Sequence, residues 1–201
     1  MTNQTPVRNV IFDVGNVLYG WHPRFLFEKI IDDPAELEHF LTHIVTLEWH
    51  FQHDAGRDFA DTSRELIVQF PQYRAYIEQY GPRFGESISG PVSGSLELLR
   101  ELDGAGVPLF AITNFRHELF PPFRAQHAEI FERVQDIIVS GEERLVKPAP
   151  AIYALAMRRF AIAPESAIFI DDNHDNIVAA REFGLHVHHF ADAEALRREL
   201  V

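Results

Sequence analysis

Acidic, hydroxyl, amide and ammonium side chains recur in this chain at the ends of short apolar runs. That is where an open α/β sheet presents groups to a ligand. The first run closes on Phe12-Asp13-Val14-Gly15-Asn16-Val17, another on Ile112-Thr113-Asn114, and another on Ile170-Asp171-Asp172-Asn173. Lys147 follows a further run and stands just before Pro148. An acid ending an apolar strand, as Asp13 does, needs a partner or a metal; a turn-capping aspartate is the competing account. Asp171 and Asp172 are adjacent carboxylates that repel each other unless a cation shares them. A helix N-cap near Asn173 would use only one of them. Hard oxygen donors of this kind suit Mg²⁺. Thr113 and Asn114 offer a hydroxyl and an amide to phosphate oxygens, or simply begin a loop. Lys147, unless it is an ordinary surface charge, would neutralise a phosphate beside the carboxylates.

The elements that must position these groups alternate. Buried strands are expected at 7–14, 107–113, 136–139 and 167–170, with a weaker one at 186–190. Helical patterns at 95–103, 150–160 and 176–183 separate them, closed by Gly104 and Gly184 or opened by Pro150. Strands alternating with helices predict a doubly wound parallel sheet, an α/β fold. From residue 23 to about 91 the pattern gives no convincing strand. Helices are expected there at 23–31, 34–43, 61–70 and 71–80. A crossover needs only about a dozen residues, so this excursion predicts an inserted helical cap. The expected division is a core of residues 1–20 and 91–201 with a cap of residues 21–90.

Composition removes several classes. The chain has 201 residues and no cysteine, which excludes disulfides and thiolate metal sites and fits a reducing, cytoplasmic setting. A formal charge of −12 argues against nucleic acid or an anionic membrane as partner. No apolar run approaches the ~20 residues of a membrane span. Eleven histidines are present, with His50, His53, His117 and His174 near the expected site. His186, His188 and His189 lack a second cluster at ligand spacing, which argues against zinc.

Taken together, VIFDVGNVLY, FAITN, VKPAPAIY and IFIDDNHDNIVAA resemble, in order and spacing, the motifs of the haloacid dehalogenase-like hydrolase superfamily. The resemblance implies a Rossmann-like core of strand order 3-2-1-4-5, which sets Asp13 beside Asp171 and Asp172. It further implies Asp13 as the nucleophile that forms an aspartyl-phosphate. Mg²⁺ would be held by Asp13, the Gly15 carbonyl, Asp172 and Asp171, and the phosphoryl group by Thr113, Asn114 and Lys147. The FDxGNV form is similar to a subgroup that includes bacterial α-D-glucose-1-phosphate phosphatases, so a small phosphorylated metabolite, plausibly a sugar phosphate, is the expected substrate. Phe51-Gln52-His53-Asp54-Ala55-Gly56 is similar to that subgroup's substrate loop, with Trp21, Trp49, His53 and Arg57 as specificity candidates.

The chain departs from the common pattern at Gly15, where most phosphatases of the superfamily carry an acid/base aspartate. Losing such a group costs ~10²–10⁴ in rate, so good leaving groups, or a substitute acid such as His117 or His174, are expected. A metal-free 2-haloacid dehalogenase also lacks that aspartate, but the dehalogenases replace the acidic pair of the last motif. A binding protein that has lost turnover is the third expectation.

Overall fold

The computed structural model describes residues 8–200. Its strands, in chain order, are β1 (Asn9–Phe12), β2 (Tyr19–Trp21), β3 (Ile88–Pro91), β4 (Leu109–Thr113), β5 (Asp136–Val139), β6 (Ala167–Asp171) and β7 (His186–His189). Five form one parallel sheet in the order β5-β4-β1-β6-β7, which is 3-2-1-4-5 counted along the chain. The first expected strand begins at Val7, which lies outside the described residues.

Successive residues of a strand face opposite sides of a sheet. Val10 and Phe12 accordingly join the core on one face with Leu99, Ala111 and Phe131. Ile11 joins the other with Ile112, Tyr153 and Phe169. A strand covered on both faces must be apolar throughout, which is why these segments read as unbroken apolar runs. Phe12 is level with Ala111 on β4 and Ile170 on β6. The residues that follow β1, β4 and β6 therefore emerge side by side at one edge.

Between β2 and β3 the chain is helical and has its own core, including Leu26, Phe27, Phe40, Ile44, Ile77 and Tyr80. The expectation of no convincing strand from residue 23 to about 91 is corrected at its end, because β3 pairs with β2 as an antiparallel ribbon where this segment leaves and rejoins the sheet. The ribbon depends on glycine. A Cβ at Gly20 would lie 2.3 Å from Ser89 Oγ, and Gly90 has φ +104°. A helix at Leu47–Asp54, absent from the sequence reading, starts where the Thr46 hydroxyl accepts from Trp49 N. Its buried side chains are Trp49, His50, His53 and Asp54, so a polar face is the one turned inward.

His50 and His53 sit in the aromatic core at 4 % and 0 % exposure. Tyr80 Oη lies 2.7 Å from His50 Nδ1, and His53 Nε2 lies 2.6 Å from Thr62 Oγ1. Burial drives both rings down to about 3, helped at His53 by the Arg116 charge. Each depressed ring contributes stability that is complete above its unfolded value near 6.5 and is lost as pH falls toward 3. The advantage of the natural chain over a His53→Gln variant should therefore shrink by roughly 2 kcal/mol between pH 7.5 and pH 5. Urea unfolding of both proteins at the two pH values reads this directly. An unchanged difference would mean that the ring takes up its proton in the folded state.

Candidate active site

β1 ends just before Asp13, a 7 % exposed carboxylate. Its Oδ1 accepts from Val14 N at 2.7 Å and pairs with Lys147 Nζ at 2.8 Å. Its Oδ2 accepts no hydrogen bond among the described residues, and Asp13 lines a cavity of about 450 Å³. One carboxylate oxygen is thus held and the other is free.

Lys147 is 4 % exposed, and its ammonium also donates to Asp171 Oδ2 at 2.7 Å and to the Ile112 carbonyl at 3.0 Å. Asn114 sets this loop. Its Oδ1 accepts from Lys147 N at 2.9 Å and its Nδ2 donates to Lys147 O at 3.0 Å. Asn114 lines the cavity, but its side chain is engaged in clamping the lysine. Thr113 is 1 % exposed, and its hydroxyl has no partner among the described residues.

Asp171 ends β6 fully buried. Both its oxygens accept from Asn176 Nδ2 at 3.0 Å, and Oδ1 also accepts from Asn173 N at 2.8 Å. Asn173 caps the helix His174–Phe183, so the helix start and the carboxylate are fixed together. Asp172 is half-buried and lines the cavity beside Asp13 and Gly15.

Asp13, Asp171 and Asp172 each offer a carboxylate oxygen, all within 4.8 Å of one another. Burial, together with repulsion from Asp171 and Asp172, pushes Asp13 up to about 8 against the pull of Lys147. Burial and Asp171 likewise raise Asp172. Burial alone would strip the proton from Lys147, but Asp13 and Asp171 more than offset it and hold the ammonium. The carboxyls shift upward chiefly through burial and then through one another's charge, and the ammonium shifts upward through the charges of Asp13 and Asp171. A hard divalent cation fits this donor set. Of these three, Asp13 and Asp172 line the cavity, whereas the oxygens of Asp171 are turned to Lys147 and Asn176.

Much of the remaining wall is apolar, with Trp21, Leu47, Phe51, Phe84, Phe115 and Phe123 among its residues, and Asn16, His50, Asp54 and Asn176 also border it. Leu47 and Phe51, 43 % and 45 % exposed, are two of the three exposed large apolar side chains of the described residues. Of the specificity candidates, Trp21 lines the cavity. Trp49 and His53 are packed inside the helical core, and Arg57 pairs with Glu65 at the surface. Neither His117 nor His174 lines the cavity, whereas His50 and Asp54 do. The sequence places Asp54 only as one residue of the Phe51–Gly56 stretch that is similar to a substrate loop, with no role of its own. The available signal was Leu47, His50, Phe51 and Asp54 at i, i+3, i+4 and i+7, one face of one helix.

The helical segment is pinned to the core beside the site. Ser140 Oγ, fully buried, donates to the Asp54 carbonyl at 2.8 Å and accepts from Phe115 N at 3.0 Å. The Arg116 guanidinium sits 4.4 Å from the Phe59 ring centre and donates to Arg57 O and Asp58 Oδ2 at 3.3 Å.

A sesquiterpene phosphatase of Aspergillus oryzae is 27 % identical over 207 aligned residues, covering 98 % of this chain and 96 % of its own. A phosphorylated carbohydrates phosphatase of Thermotoga maritima is 28 % identical over 145, covering 65 % and 66 %. In fold, the chain is similar to a crystal structure of a Bacteroides thetaiotaomicron enzyme in complex with magnesium and inorganic phosphate. That likeness has a TM-score of 0.72 at 19 % identity and covers 97 % of this chain and 100 % of the other. The sequence profile of the haloacid dehalogenase-like hydrolases matches residues 7–184, the stretch that holds the parallel sheet up to the start of β7 and every carboxylate of the cluster, and the chain belongs to that family of hydrolases.

Proposed function

We propose that the chain is a Mg²⁺-dependent phosphatase that hydrolyses a small phosphate monoester with an apolar organic group through an aspartyl-phosphate intermediate. The observation that carries this reading is one cavity of mixed chemistry. Asp13, Asp172 and Lys147 line it together with a mostly aromatic and aliphatic wall that also carries polar side chains such as His50, Asp54 and Asn176. Asp13 Oδ1 is held by Lys147, which leaves Oδ2 as the attacking atom. Asp171 keeps the ammonium in place, and Asn114 keeps its main chain in place. Asp13, Asp172 and the Gly15 carbonyl would hold Mg²⁺, which supplies charge neutralisation to the nucleophile and the phosphoryl oxygens. Thr113, with a buried and unpartnered hydroxyl, would serve the phosphoryl group. The intact acidic pair sets this site apart from a metal-free dehalogenase.

A sugar phosphate is the other substrate reading. Sugar hydroxyls demand a wall of donors and acceptors, because buried polar groups left unpaired cost binding. The aromatic and aliphatic side chains that make up most of the wall offer almost none, and the polar ones beside them, such as Asn16, His50 and Asn176, are few. The Aspergillus and Thermotoga relatives point to terpenoid and carbohydrate substrates respectively, and the lining favours the former chemistry.

A phosphate-release panel tests this. Prenyl and arylalkyl monophosphates should give a higher kcat/KM than glucose 1-phosphate, and chelation should abolish turnover until Mg²⁺ is restored. A preference for the sugar phosphate would overturn the substrate class. Full activity in chelator would overturn the metal.

A further inference from the structure

Gly15 leaves the usual acid/base position empty of a carboxylate, although a Cβ there would meet nothing within 4 Å. The cavity holds a carboxylate from elsewhere. Asp54, the last residue of the helix Leu47–Asp54, is 4 % exposed and lines the same cavity as Asp13, Gly15 and Asp172. Among the described residues its carboxyl makes no hydrogen bond, and the nearest basic nitrogen is His50 Nε2, 3.6 Å from Oδ2. A buried carboxyl without donors favours its neutral form, the form a general acid needs. Burial pushes Asp54 up to about 7, with the Lys147 charge pulling the other way. Burial holds His50 neutral, its Nδ1 is engaged with the Tyr80 hydroxyl at 2.7 Å, and its Nε2, 3.6 Å from Asp54, makes no hydrogen bond to the carboxyl. The Ser140 hydroxyl fixes the Asp54 main chain to the core loop beside the site. Among the described residues, no other carboxylate on the cavity wall is both buried and outside the metal-binding cluster, since Asp175 is solvent-exposed and Asp13 and Asp172 belong to the cluster.

We infer that the Asp54 carboxyl supplies the acid/base function that position 15 lacks. The inference rests on the aspartyl-phosphate reading above. As Asp13 Oδ2 bonds to phosphorus, the bond to the ester oxygen breaks. Its electron pair stays on that oxygen, which takes the proton of Asp54. In the second step the Asp54 carboxylate takes a proton from water as the water oxygen bonds to phosphorus. The bond to Asp13 breaks, its electrons return to the Asp13 carboxylate, inorganic phosphate leaves, and Asp54 is again protonated. The helical segment thereby contributes a reacting group as well as the apolar wall, and a substrate seated against Leu47 and Phe51 lies on the helix that carries the acid.

Asp54→Asn is the test, read as single-turnover release of alcohol across a leaving-group series. Alkyl phosphates, whose alkoxides need a proton, should slow by ~10²–10⁴. 4-Nitrophenyl phosphate, whose phenolate leaves unaided, should slow by less than about tenfold. Adding Gly15→Asp to Asp54→Asn should restore part of the alkyl activity, since position 15 has room. Equal losses across the series in a folded variant would give Asp54 a structural role and overturn the inference, as would no loss at all. If the natural chain releases phosphate from no ester with Mg²⁺ present, the phosphatase reading fails first and takes this one with it. If the natural chain is active and Asp13→Asn is not, a flat leaving-group response in Asp54→Asn overturns this inference alone.

Discussion

Asp13→Asn is expected to cut phosphate release by ~10⁴-fold or more while unfolding at no lower a temperature than the natural chain. The chemical half of the argument is that an amide at this position is not a nucleophile toward phosphorus, and no other carboxylate stands in its place. Asp171 is engaged by Lys147 and Asn176, and position 15 is glycine. The structural half comes from charge. Three carboxylates crowd one buried ammonium, and burial with mutual repulsion already lifts Asp13 to about 8. Removing one negative charge relieves that repulsion, and Lys147 keeps Asp171 and the Ile112 carbonyl as partners. Sites built for chemistry are commonly less stable than their neutralised variants. Phosphate release and thermal unfolding of the purified variant check both halves. A folded variant with substantial turnover would move the nucleophile elsewhere.

The parallel sheet was legible because a strand covered on both faces is apolar along its length, and β1, β4 and β6 are fully buried. Asp13, just after β1, and Thr113 and Asp171, the last residues of β4 and β6, were legible for the same reason, as abrupt breaks in those runs. The ribbon of β2 and β3 was not. Tyr-Gly-Trp and Ile-Ser-Gly-Pro are too short for a period and carry glycine or proline. The helix Leu47–Asp54 was hidden by its own chemistry. Its buried face holds His50, His53 and Asp54, so no apolar stripe marks it. Polar groups face inward there because the helix borders the cavity, and that border is what made it unreadable. The apolar wall was hidden differently. Phe84, Phe115 and Phe123 come from distant segments, and each alone reads as an ordinary core residue, whereas Trp21 was a specificity candidate and Phe51 fell in the expected substrate loop.

Lys147→Met should produce the largest loss of stability, about 3–5 kcal/mol near neutral pH, because it leaves buried carboxylates without their counter-charge. Met fills similar space and makes no ion pair. The natural ammonium is nearly inaccessible, touches Asp13 and Asp171, and lies 5.4 Å from the Phe169 ring centre, so water cannot replace it cheaply. In the variant the carboxylates escape repulsion by taking up protons, which raises their folded values further than in the natural chain, where burial and mutual repulsion already hold Asp13 at about 8. A group raised in this way is fully compatible with folding below its unfolded value, and it loses stability as pH rises through the folded one. The gap between natural chain and variant should therefore widen from pH 5 to pH 8. The histidine contribution runs the opposite way but is common to both proteins and cancels in the difference. A cation that joins Asp13 and Asp172 would replace part of the missing charge, so saturating MgCl₂ should narrow the gap at pH 8 and leave it little changed at pH 5. Turnover should fall as well, by ~10²–10³, since the ammonium that orients Asp13 also faces the charge developing on the phosphoryl group. Urea unfolding at the two pH values, with and without Mg²⁺, gives all four numbers. A gap independent of pH would show that Lys147 contributes packing rather than charge, and a gap indifferent to Mg²⁺ would place the cation outside this cluster.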